Sequence, residues 1–408
     1  MKRPTYVTLL LSFLLIASLG LAACQAAAPA EEEAPAEEEE AAPAEEEAPP
    51  AEEEEAPAEE EEAAGEPIPI GVLSNLTGPE TNSGVDMVRG VELAVAELNA
   101  TGGVDGRPLE LIVEDAEYRP QLGVDAAHKL IDVNQVPVIL NVGGSGIMLP
   151  VGEYAGTQNV VVINTGASSP QLRDLPTLCS VVPLDDIVGK ALGEWAYEEG
   201  YTTAVTAVPN NPYGIGVQDF ATIGFEEAGG EVLEQIAYIE GEADYRPDAQ
   251  RIADLGPDAV LSATYGDDAN LFLKQTIEVG ADTPWFITYP TIINVGNPED
   301  ANGRVFGLEP GWDLPEAQDF MNNVYAGEYG EPPSTPWANY AYDGMMLVGL
   351  AMRECGPTSD CLQEAIPEVA KTYDGVTGRI EFDEDCQRPN APLVRMGYQD
   401  GELQLLEE

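Results

Sequence analysis

Apolar residues are spread very unevenly along this chain. Apolar residues fill a stretch from Tyr6 to about Leu21. Residues 25–66 contain no branched or aromatic side chain, and from Ile68 onward apolar residues recur in a regular pattern. A segment without branched or aromatic side chains cannot bury a core. The pattern therefore predicts an apolar leader, an extended tether and a folded part that covers residues 67–408.

The first half of the folded part alternates short apolar runs with segments of helical periodicity. Ile68–Leu73 is a short apolar run, which predicts a buried strand. A helix is predicted next, because apolar side chains recur at three- and four-residue steps, at Val85, Val88, Val91, Val95 and Leu98. Further strands are predicted at 109–113, 138–142 and 160–163, and further helices at 120–131 and 147–156. This alternation indicates a parallel α/β sheet.

The same rhythm restarts after Pro183. Strands are predicted at 203–208, 232–238, 259–262 and 285–288, and helices at 187–200, 217–228, 247–255 and 269–279. Three more helices are predicted at 315–325, 337–353 and 362–372, followed by short strands at 379–382, 393–397 and 403–405. Two comparable runs, each large enough for a lobe, predict an α/β protein with two lobes.

The N-terminal leader has the layout of a secretory signal peptide. Lys2 and Arg3 precede the apolar stretch, and the small residues Ala22 and Ala23 lead to Cys24. This ending resembles the lipobox of bacterial lipoproteins, in which the cysteine is lipidated and becomes the new N-terminus. The alternative is an ordinary signal peptide, or an uncleaved anchor, with a cysteine there by chance.

The lipobox resemblance implies that residues 1–23 are removed and that Cys24 carries lipid. Residues 24–66, rich in Ala, Pro and Glu, then form a disordered tether. No later stretch approaches the roughly 18 apolar residues that a membrane-spanning helix needs, so lipid is the expected attachment to the membrane. The protein is expected outside the cytoplasm, on the cell surface or in the periplasm.

The chain is strongly acidic, with a formal net charge of −57. Of its 74 acidic residues 19 lie in residues 25–66, and of its 17 basic residues 2 lie in the leader, so that residues 67–408 carry −40. Nucleic acids are bound through Lys and Arg, so this charge argues against a nucleic-acid partner and against docking on anionic lipid. Solubility at high ionic strength is one interpretation of the charge.

Four cysteines remain beside Cys24, namely Cys179, Cys355, Cys361 and Cys386. An even number of cysteines in an exported chain indicates disulfides. Four cysteines allow three pairings, and free buried thiols are the alternative.

Two loops rich in glycine and hydroxyl groups follow predicted strands. One is the Gly-Gly-Ser-Gly segment at 143–146, and the other covers residues 164–170. In parallel α/β sheets, ligands bind at the carboxyl ends of the strands, and the N–H groups at a helix N-terminus favour an anion. The two loops therefore suit a carboxylate, with ordinary turns and helix caps as the alternative.

The sequence lacks the residue patterns of catalysis and metal binding. His128 is the only histidine and lies on a predicted helix, and no Cys/His spacing fits a zinc site. The segment at 143–147 departs from the G-x-S-x-G pattern at Ile147 and lacks the Lys-Ser/Thr end of a P-loop. We therefore predict no catalytic residue, no metal and no cofactor, with His128 in a surface or packing role.

A set of short segments occurs in a specific order along the folded part. They are Ile70-Gly71-Val72, Leu76-Thr77-Gly78-Pro79, Asn99-Ala100-Thr101-Gly102-Gly103-Val104-Asp105-Gly106, Gly144-Ser145-Gly146, Asn211-Pro212-Tyr213-Gly214, and Tyr373-Asp374-Gly375-Val376-Thr377-Gly378 leading to Phe382-Asp383. In this order and spacing they resemble the type I periplasmic binding proteins of the branched-chain amino acid transport family, the leucine/isoleucine/valine-binding kind. The likeness covers residues 67–408.

The resemblance implies two Rossmann-like α/β lobes with parallel sheets, joined by a three-segment hinge and closing on ligand like a clamshell. The implied first lobe comprises residues 67–182 and 310–382, and the second comprises residues 183–309 and 383–408. The implied crossings lie near 181–183, 308–310 and 381–385. Cys179 and Cys386 then lie beside two different crossings, which favours the pairs Cys179–Cys386 and Cys355–Cys361.

The resemblance also assigns ligand-binding residues, with Ser145 matching the serine that holds a substrate carboxylate. The implied set is Ser145, Gly166, Ala167 and Ser168 in the first lobe, with Tyr213, Tyr265 and Tyr289 in the second. The family's acidic partner for a ligand ammonium aligns with Tyr289, which is not an acid, and Asp267, Asp268 and Glu309 are the nearby acids that would substitute. A family aromatic residue aligns with Ser83.

What the resemblance implies about function is a solute-binding component of an ABC importer, working as a monomer with permease and ATPase subunits. The implied ligand is a small carboxylate, a branched-chain or other hydrophobic amino acid. The absence of the aligned acid leaves an amide, an aromatic acid or another organic acid open. Two further roles stay open as well, a ligand-sensing receptor of a signalling system and a structural surface lipoprotein.

Overall fold

The structure, a computed structural model, describes residues 65–141, 143–293 and 295–406. The predicted signal peptide, Cys24 and nearly all of the predicted tether lie outside these residues. Within them, no helix combines the length and the apolar character that crossing a membrane requires.

The first lobe alternates strands and helices. Its elements are β1 (Ile68–Ser74), α1 (Thr81–Ala100), β2 (Leu109–Asp115), α2 (Pro120–His128), β3 (Val138–Asn141), α3 (Ser145–Thr157), β4 (Val161–Asn164) and β5 (Leu178–Ser180). The strands form a parallel sheet in the order β2-β1-β3-β4-β5. Val72, Leu140 and Ile163 stand side by side in its centre without solvent exposure. Burial on both faces explains why these strands read as continuous apolar runs.

The second lobe repeats the alternation. Its elements are α4 (Asp185–Glu198), β6 (Thr203–Pro209), α5 (Pro212–Ala228), β7 (Glu231–Tyr238), α6 (Arg246–Leu255), β8 (Ala259–Ser262), α7 (Gly266–Glu278), β9 (Trp285–Thr288), α8 (Pro298–Ala301) and β10 (Val305–Pro310). Strands β7, β6, β8, β9 and β10 are parallel neighbours in that order. The predicted α/β fold class is confirmed.

The last part of the chain contributes to both lobes. It comprises α9 (Pro315–Asp319), α10 (Ala326–Tyr329), α11 (Trp337–Cys355), α12 (Ser359–Ala370), β11 (Asp374–Gly375), β12 (Gly378–Arg379), β13 (Leu393–Gln399) and β14 (Glu402–Leu405). Helices α11 and α12 pack against α1, β3 and β4 of the first lobe. Strand β13 pairs antiparallel with β10 and carries β14 at the edge of the second sheet.

The predicted apolar face of α1 is buried against α11. Val88, Val91 and Leu98 are at most 8% exposed. Gly90 lets the two helices approach closely, because a Cβ there would lie 2.3 Å from the carbonyl oxygen of Ala338. The apolar residues therefore form the face of α1 that packs on α11, and Gly90 permits the close contact between the two helices.

The segments that connect the lobes are tied together. The chain passes between the lobes at 181–184, 311–314 and 380–392, and the disulfide Cys179–Cys386 joins the first of these passages to the third. The guanidinium of Arg388, fully buried, donates to the carbonyl oxygens of Val181 and Thr377. A second disulfide, Cys355–Cys361, closes a short loop after α11.

Three strands, β5, β10 and the two-residue β11, are absent from the pattern-based prediction, and one predicted strand is much shorter. Strand β5 has three residues, and β10 carries Gly307 and ends at Pro310, so both give weak strand signals. The strand predicted at 379–382 is reduced to β12, because the carbonyl oxygen of Arg379 accepts hydrogen bonds from Arg388 and Asn390. The exact boundaries of the two lobes, implied above as 67–182 plus 310–382 and 183–309 plus 383–408, remain a prediction.

Candidate functional site

A cavity of about 200 Å³ lies between the lobes. The loops after β1, β2, β3 and β4 line it from the first lobe, and those after β6, β7, β8 and β9 line it from the second. This is the crevice at the carboxyl ends of parallel strands in which α/β proteins bind ligands. Drug-sized ligands occupy pockets of roughly 300–1,000 Å³, so this cavity suits a smaller molecule.

Ser145 is the first residue of α3 and its hydroxyl is oriented by the neighbouring loop. Its Oγ accepts the backbone N–H groups of Ser168, at 3.3 Å, and Ser169, at 3.1 Å. A hydroxyl has two acceptor positions and one proton, so both acceptor positions are used and the proton is left to donate. The first turn of α3 also presents N–H groups that have no intrahelical partner. Together these donors suit an anionic group.

The loop after β4 is shaped by Asn164, whose Oδ1 accepts the N–H groups of Gly166 and Ala167 at 3.2 and 2.9 Å. Gly166 and Ser168 line the cavity, as does Ser145. Ala167 is buried between them with its N–H directed to Asn164, and it is not part of the cavity wall. The structure thus brings three of the four first-lobe residues of the prediction to the cavity.

Five aromatic rings form a continuous arc along the cavity, in the order Tyr118, Tyr265, Tyr213, Tyr289 and Trp337. Successive ring centroids are 6.3, 5.9, 6.1 and 5.2 Å apart. The three middle rings are the predicted second-lobe tyrosines. The two end rings come from elements of the first lobe, so the arc spans both sides of the cleft.

The middle rings are held by hydrogen bonds at their hydroxyls. Tyr213 shares a 2.7 Å hydrogen bond with Thr288 at the end of β9. Tyr289 follows β9 with a φ of 56°, a left-handed conformation that is uncommon for a residue with a side chain. Its hydroxyl lies 3.5 Å from Asp185 and 3.4 Å from the carbonyl oxygen of Pro183. Tyr289 therefore spans from the second sheet to a passage between the lobes.

Asp185 is a fully buried acid immediately behind the cavity wall. Its carboxylate accepts the Ser168 hydroxyl at 3.0 Å and lies within reach of the Tyr289 hydroxyl. Burial raises the pKa of this carboxyl well above its ordinary value, and the nearby Asp186 raises it further. A hydroxyl that donates to a carboxylate turns its lone pairs elsewhere, so Ser168 offers acceptors toward the cavity.

Two further acids line the cavity at its other end. Burial raises the pKa of the Glu80 carboxyl to about 7, and the charges of Asp267 and Glu240 add to that rise. Glu240 accepts hydrogen bonds from Tyr265 and from the side-chain amide of Asn211. Among the described residues that line the cavity there is no Lys, Arg or His. The acids of the described cavity wall are therefore not balanced by a basic side chain of that wall.

The three acids considered as substitutes for the missing family acid lie elsewhere. Glu309 is fully buried and accepts both the N–H and the hydroxyl of Thr291, and Asp268 accepts the N–H of Gly241. Neither these two nor Asp267 lines the cavity. His128 also lies outside it.

His128 contacts Asp132 at 3.0 Å and packs its ring 3.9 Å from that of Tyr154. Its side chain is about half exposed. Among the described residues no group of His, Cys, Asp or Glu side chains is arranged to hold a metal ion.

Sequence reasoning missed several residues of this site, among them Glu80, Tyr118, Asp185, Glu240 and Trp337. Tyr118 and Glu240 each come shortly after a predicted strand, so the rule that placed Ser145 would have found them. Asp185 begins the helix that follows the first passage between the lobes, and Trp337 begins α11. No pattern within the sequence marks those two positions.

The match to a family model decides the family of this chain. The model describes periplasmic binding proteins and matches residues 67–402. The chain belongs to the periplasmic binding protein family. Among curated relatives, the Leu/Ile/Val-binding protein homolog 2 of Brucella abortus (strain 2308) is 25% identical to this periplasmic binding protein over 346 residues, covering 82% of this chain and 91% of the relative.

Solved structures show the same fold. The substrate-binding protein of a branched-chain amino acid transporter from Streptococcus pneumoniae, in complex with isoleucine, superposes with a TM-score of 0.74 at 21% identity, covering 83% of this chain and 99% of that one. A solute-binding protein of an ABC transporter from R. palustris, in complex with benzoate, gives a TM-score of 0.73 at 20% identity, covering 83% and 95%. The two-lobed type I fold is therefore that of this periplasmic binding protein.

Proposed function

We propose that this protein is the extracytoplasmic solute-binding component of an ABC importer and that it captures a small, zwitterionic, hydrophobic α-amino acid. The observation that carries the proposal is the pairing of an anion-binding cradle at Ser145 with the buried carboxyl group of Asp185, in a cavity without basic side chains among its described residues. The two features require opposite charges on one small ligand.

The carboxylate end of the ligand would meet Ser145. Since the Ser145 oxygen already accepts two N–H groups, its proton donates to the ligand, and the first turn of α3 adds its N–H groups and the favourable end of its dipole. A charge-assisted hydrogen bond of this kind contributes about 1.5–3 kcal/mol.

The ammonium end would meet the hydroxyl oxygens of Ser168 and Tyr289. Both hydroxyls lie against Asp185, within 3.0 and 3.5 Å, so the carboxylate orients their lone pairs and supplies the compensating charge. A buried ammonium needs such compensation, and its own charge lowers the raised pKa of Asp185 so that the acid is ionised when the ligand is bound. In this proposal Asp185, which lies behind the Tyr289 hydroxyl, takes the role of the acid that the family resemblance implies at position 289.

The ligand side chain would lie against the apolar part of the wall. Met87 and Ile292 line the cavity together with the ring of Trp337. These surfaces favour a branched-chain or other hydrophobic side chain over a charged one. The relatives support this ligand class, since the curated one is named a Leu/Ile/Val-binding protein homolog and the Streptococcus pneumoniae protein holds isoleucine.

An aromatic carboxylic acid is the second candidate. The arc of five rings and the benzoate held by the R. palustris protein favour it. The acid Glu240 and the absence of Lys, Arg and His among the described lining residues act against an anionic ligand that brings no positive charge of its own. The zwitterion is therefore preferred.

The remaining parts of the proposal concern the whole protein. Cys24 would carry lipid and fasten the chain to the membrane through the tether of residues 24–66. The folded part would act as a monomer, with lobes at 67–182 plus 310–382 and at 183–309 plus 383–408. It would deliver ligand to permease and ATPase subunits and catalyse no reaction.

The test compares three ligands of similar shape by thermal shift and calorimetry: L-leucine, L-leucinamide, which lacks the carboxylate, and 4-methylpentanoate, which lacks the ammonium. L-leucine at 100 times its Kd should stabilise the protein by about 2.7 kcal/mol, and both analogues should bind at least tenfold more weakly. Benzoate binding more tightly than every amino acid would overturn the first candidate in favour of the second.

A matched pair of variants tests the cradle. Ser145→Ala should weaken L-leucine binding at least tenfold in a protein that still folds, with a lower ligand-free melting temperature because the N–H groups of Ser168 and Ser169 lose their acceptor. Ser359→Ala is the control, because Ser359 also begins a helix but lies on α12 away from the cavity. Equal affinity of the Ser145→Ala variant and the wild type would contradict the assignment.

A further inference from the structure

Tyr118 and Tyr265 face each other across the cleft. Tyr118 belongs to the first lobe, between β2 and α2, and Tyr265 belongs to the second, between β8 and α7. The Tyr118 hydroxyl donates to the Tyr265 oxygen at 2.9 Å, and the two rings meet edge to face. A hydrogen bond between residues of different lobes can persist only while the lobes are together.

The second lobe holds the Tyr265 hydroxyl in a fixed orientation. Its proton goes to Glu240, and the side-chain amide of Asn211 donates to the Tyr265 oxygen at 3.1 Å and to Glu240 at 2.8 Å. A phenol oxygen has one proton and two acceptor positions. The hydrogen bonds of Tyr265 within its own lobe therefore leave one acceptor position, and Tyr118 occupies it.

The first lobe holds Tyr118 just as firmly. Glu117 and Tyr118 have φ values of 48° and 54°, two consecutive left-handed residues with side chains, which is a rare conformation. Asn75 accepts the N–H of Tyr118 at 3.1 Å, and Asp115 accepts the N–H groups of Leu76 and Glu117. The loops after β1 and β2 are thereby joined into one unit that presents the Tyr118 ring to the cleft.

We propose that Tyr118 is the latch residue of this binding protein: its hydroxyl, through Tyr265, holds the two lobes closed over the ligand. The proposal rests on the proposed function, since it gives that same cavity its means of retention. Tyr118 is a positioning residue here, because it acts on the ligand through the closed state. Both partners are fixed before they meet, so little side-chain freedom is lost when the bond forms.

The latch has a kinetic consequence. Ligand enters the open cleft before the Tyr118–Tyr265 bond forms, so the bond has little influence on the association rate. It must break before ligand leaves, so its loss accelerates dissociation. A single hydrogen bond between neutral groups corresponds to a change of roughly fivefold.

The experiment uses the folded chain with L-leucine as probe and stopped-flow tyrosine and tryptophan fluorescence as readout. Tyr118→Phe keeps the ring and removes the hydroxyl. It should raise the dissociation rate constant of L-leucine about fivefold, leave the association rate constant within twofold, and leave the ligand-free melting temperature within about a degree. Tyr154→Phe is the control, because the Tyr154 hydroxyl also donates to an acid, Asp132, but on the outside of the first lobe.

A double-variant cycle with Tyr265→Phe separates the latch from a general loss of packing. If the two hydroxyls act through their mutual bond, Tyr118→Phe adds nothing to the dissociation rate in the Tyr265→Phe background. Additive effects, or a wild-type dissociation rate in Tyr118→Phe, would overturn the proposal.

The latch is also testable when L-leucine does not bind. Failure of the wild type to bind L-leucine would count against the proposed function alone. Benzoate, the ligand of the second candidate function, then serves as the probe: Tyr118→Phe should raise its dissociation rate constant about fivefold, and Tyr154→Phe should not. Equal dissociation rate constants of benzoate in all three proteins would overturn the latch.

Discussion

Glu309 provides a strong prediction about stability. It lies on β10, next to the second passage between the lobes, and is fully buried. Its Oε2 accepts the N–H of Thr291 at 3.2 Å and the hydroxyl at 2.7 Å. Its Oε1 has no hydrogen-bond partner among the described residues. Burial raises the pKa of this carboxyl from 4.5 to about 8, so the folded protein keeps a proton that the unfolded chain has already lost.

The direction of the effect follows from these two pKa values. Below pH 4.5 the carboxyl is protonated in both states and contributes no pH dependence. As pH rises from 4.5 to about 8 only the unfolded chain ionises, so the free energy of unfolding falls by about 1.4 kcal/mol per pH unit. Over that window Glu309 lowers the stability by about 5 kcal/mol, and above about pH 8 its contribution is constant.

Glu309→Gln removes the titrating proton while its amide oxygen still accepts from Thr291. We expect urea unfolding, measured from about pH 4.5 to about pH 8.5, to show the variant gaining on the wild type across this range, by several kcal/mol at the alkaline end. Other buried acids contribute equally to both proteins and cancel in the difference. Glu153→Gln, on the exposed side of α3, is the control with the same change of charge. A difference between Glu309→Gln and wild type that is independent of pH would refute the reasoning.

Three more predictions concern the ligand, the hinge and the core. Asp185→Asn should weaken L-leucine binding at least tenfold in calorimetry without weakening 4-methylpentanoate binding, because only L-leucine carries an ammonium. Replacing Cys179 and Cys386 together by serine opens a loop of 207 residues and should lower the free energy of urea unfolding by about 5 kcal/mol; an unchanged midpoint would contradict this. Gly90→Ala should cost about 2 kcal/mol or more, since its Cβ would meet a backbone carbonyl, whereas Gly327→Ala, with open space around it, should be neutral or slightly stabilising in the same assay.

Local sequence patterns carry much of the fold. The apolar positions of α1 predict both a helix and the side that it buries, because Val88, Val91 and Leu98 fall on one face. Strands β5 and β10 escape prediction because their stability comes from neighbours: the N–H of Ser180 donates to the carbonyl oxygen of Cys386, which is far away along the chain. The same long-range contact explains why the passages between the lobes are not marked by composition.

Sequence patterns predict only those cavity residues that lie in a loop directly after a strand. Ser145 and Gly166 follow strands with glycine-rich loops, so the sequence points to them directly. Tyr118 and Trp337 lie far apart along the chain and meet only as the two ends of one arc of rings. Their roles depend on which rings stand between them, and that order is a property of the folded cleft.

Under the proposed function, an acid remains close to the ligand ammonium although position 289 carries a tyrosine. The family pattern leads one to search for an acid at position 289 or close to it in the sequence, and the acids found that way, Asp267, Asp268 and Glu309, do not line the cavity. Asp185 lies 104 residues away along the chain and 3.5 Å away in space. An ammonium is stabilised by a negative charge within several ångströms, whichever element of the fold supplies that charge. A carboxylate that reaches the ligand through the hydroxyls of Ser168 and Tyr289 is therefore equivalent in sign to one that touches it. It differs in being weaker and more sensitive to those hydroxyls, so Tyr289→Phe should impair L-leucine binding in calorimetry although no acid is removed.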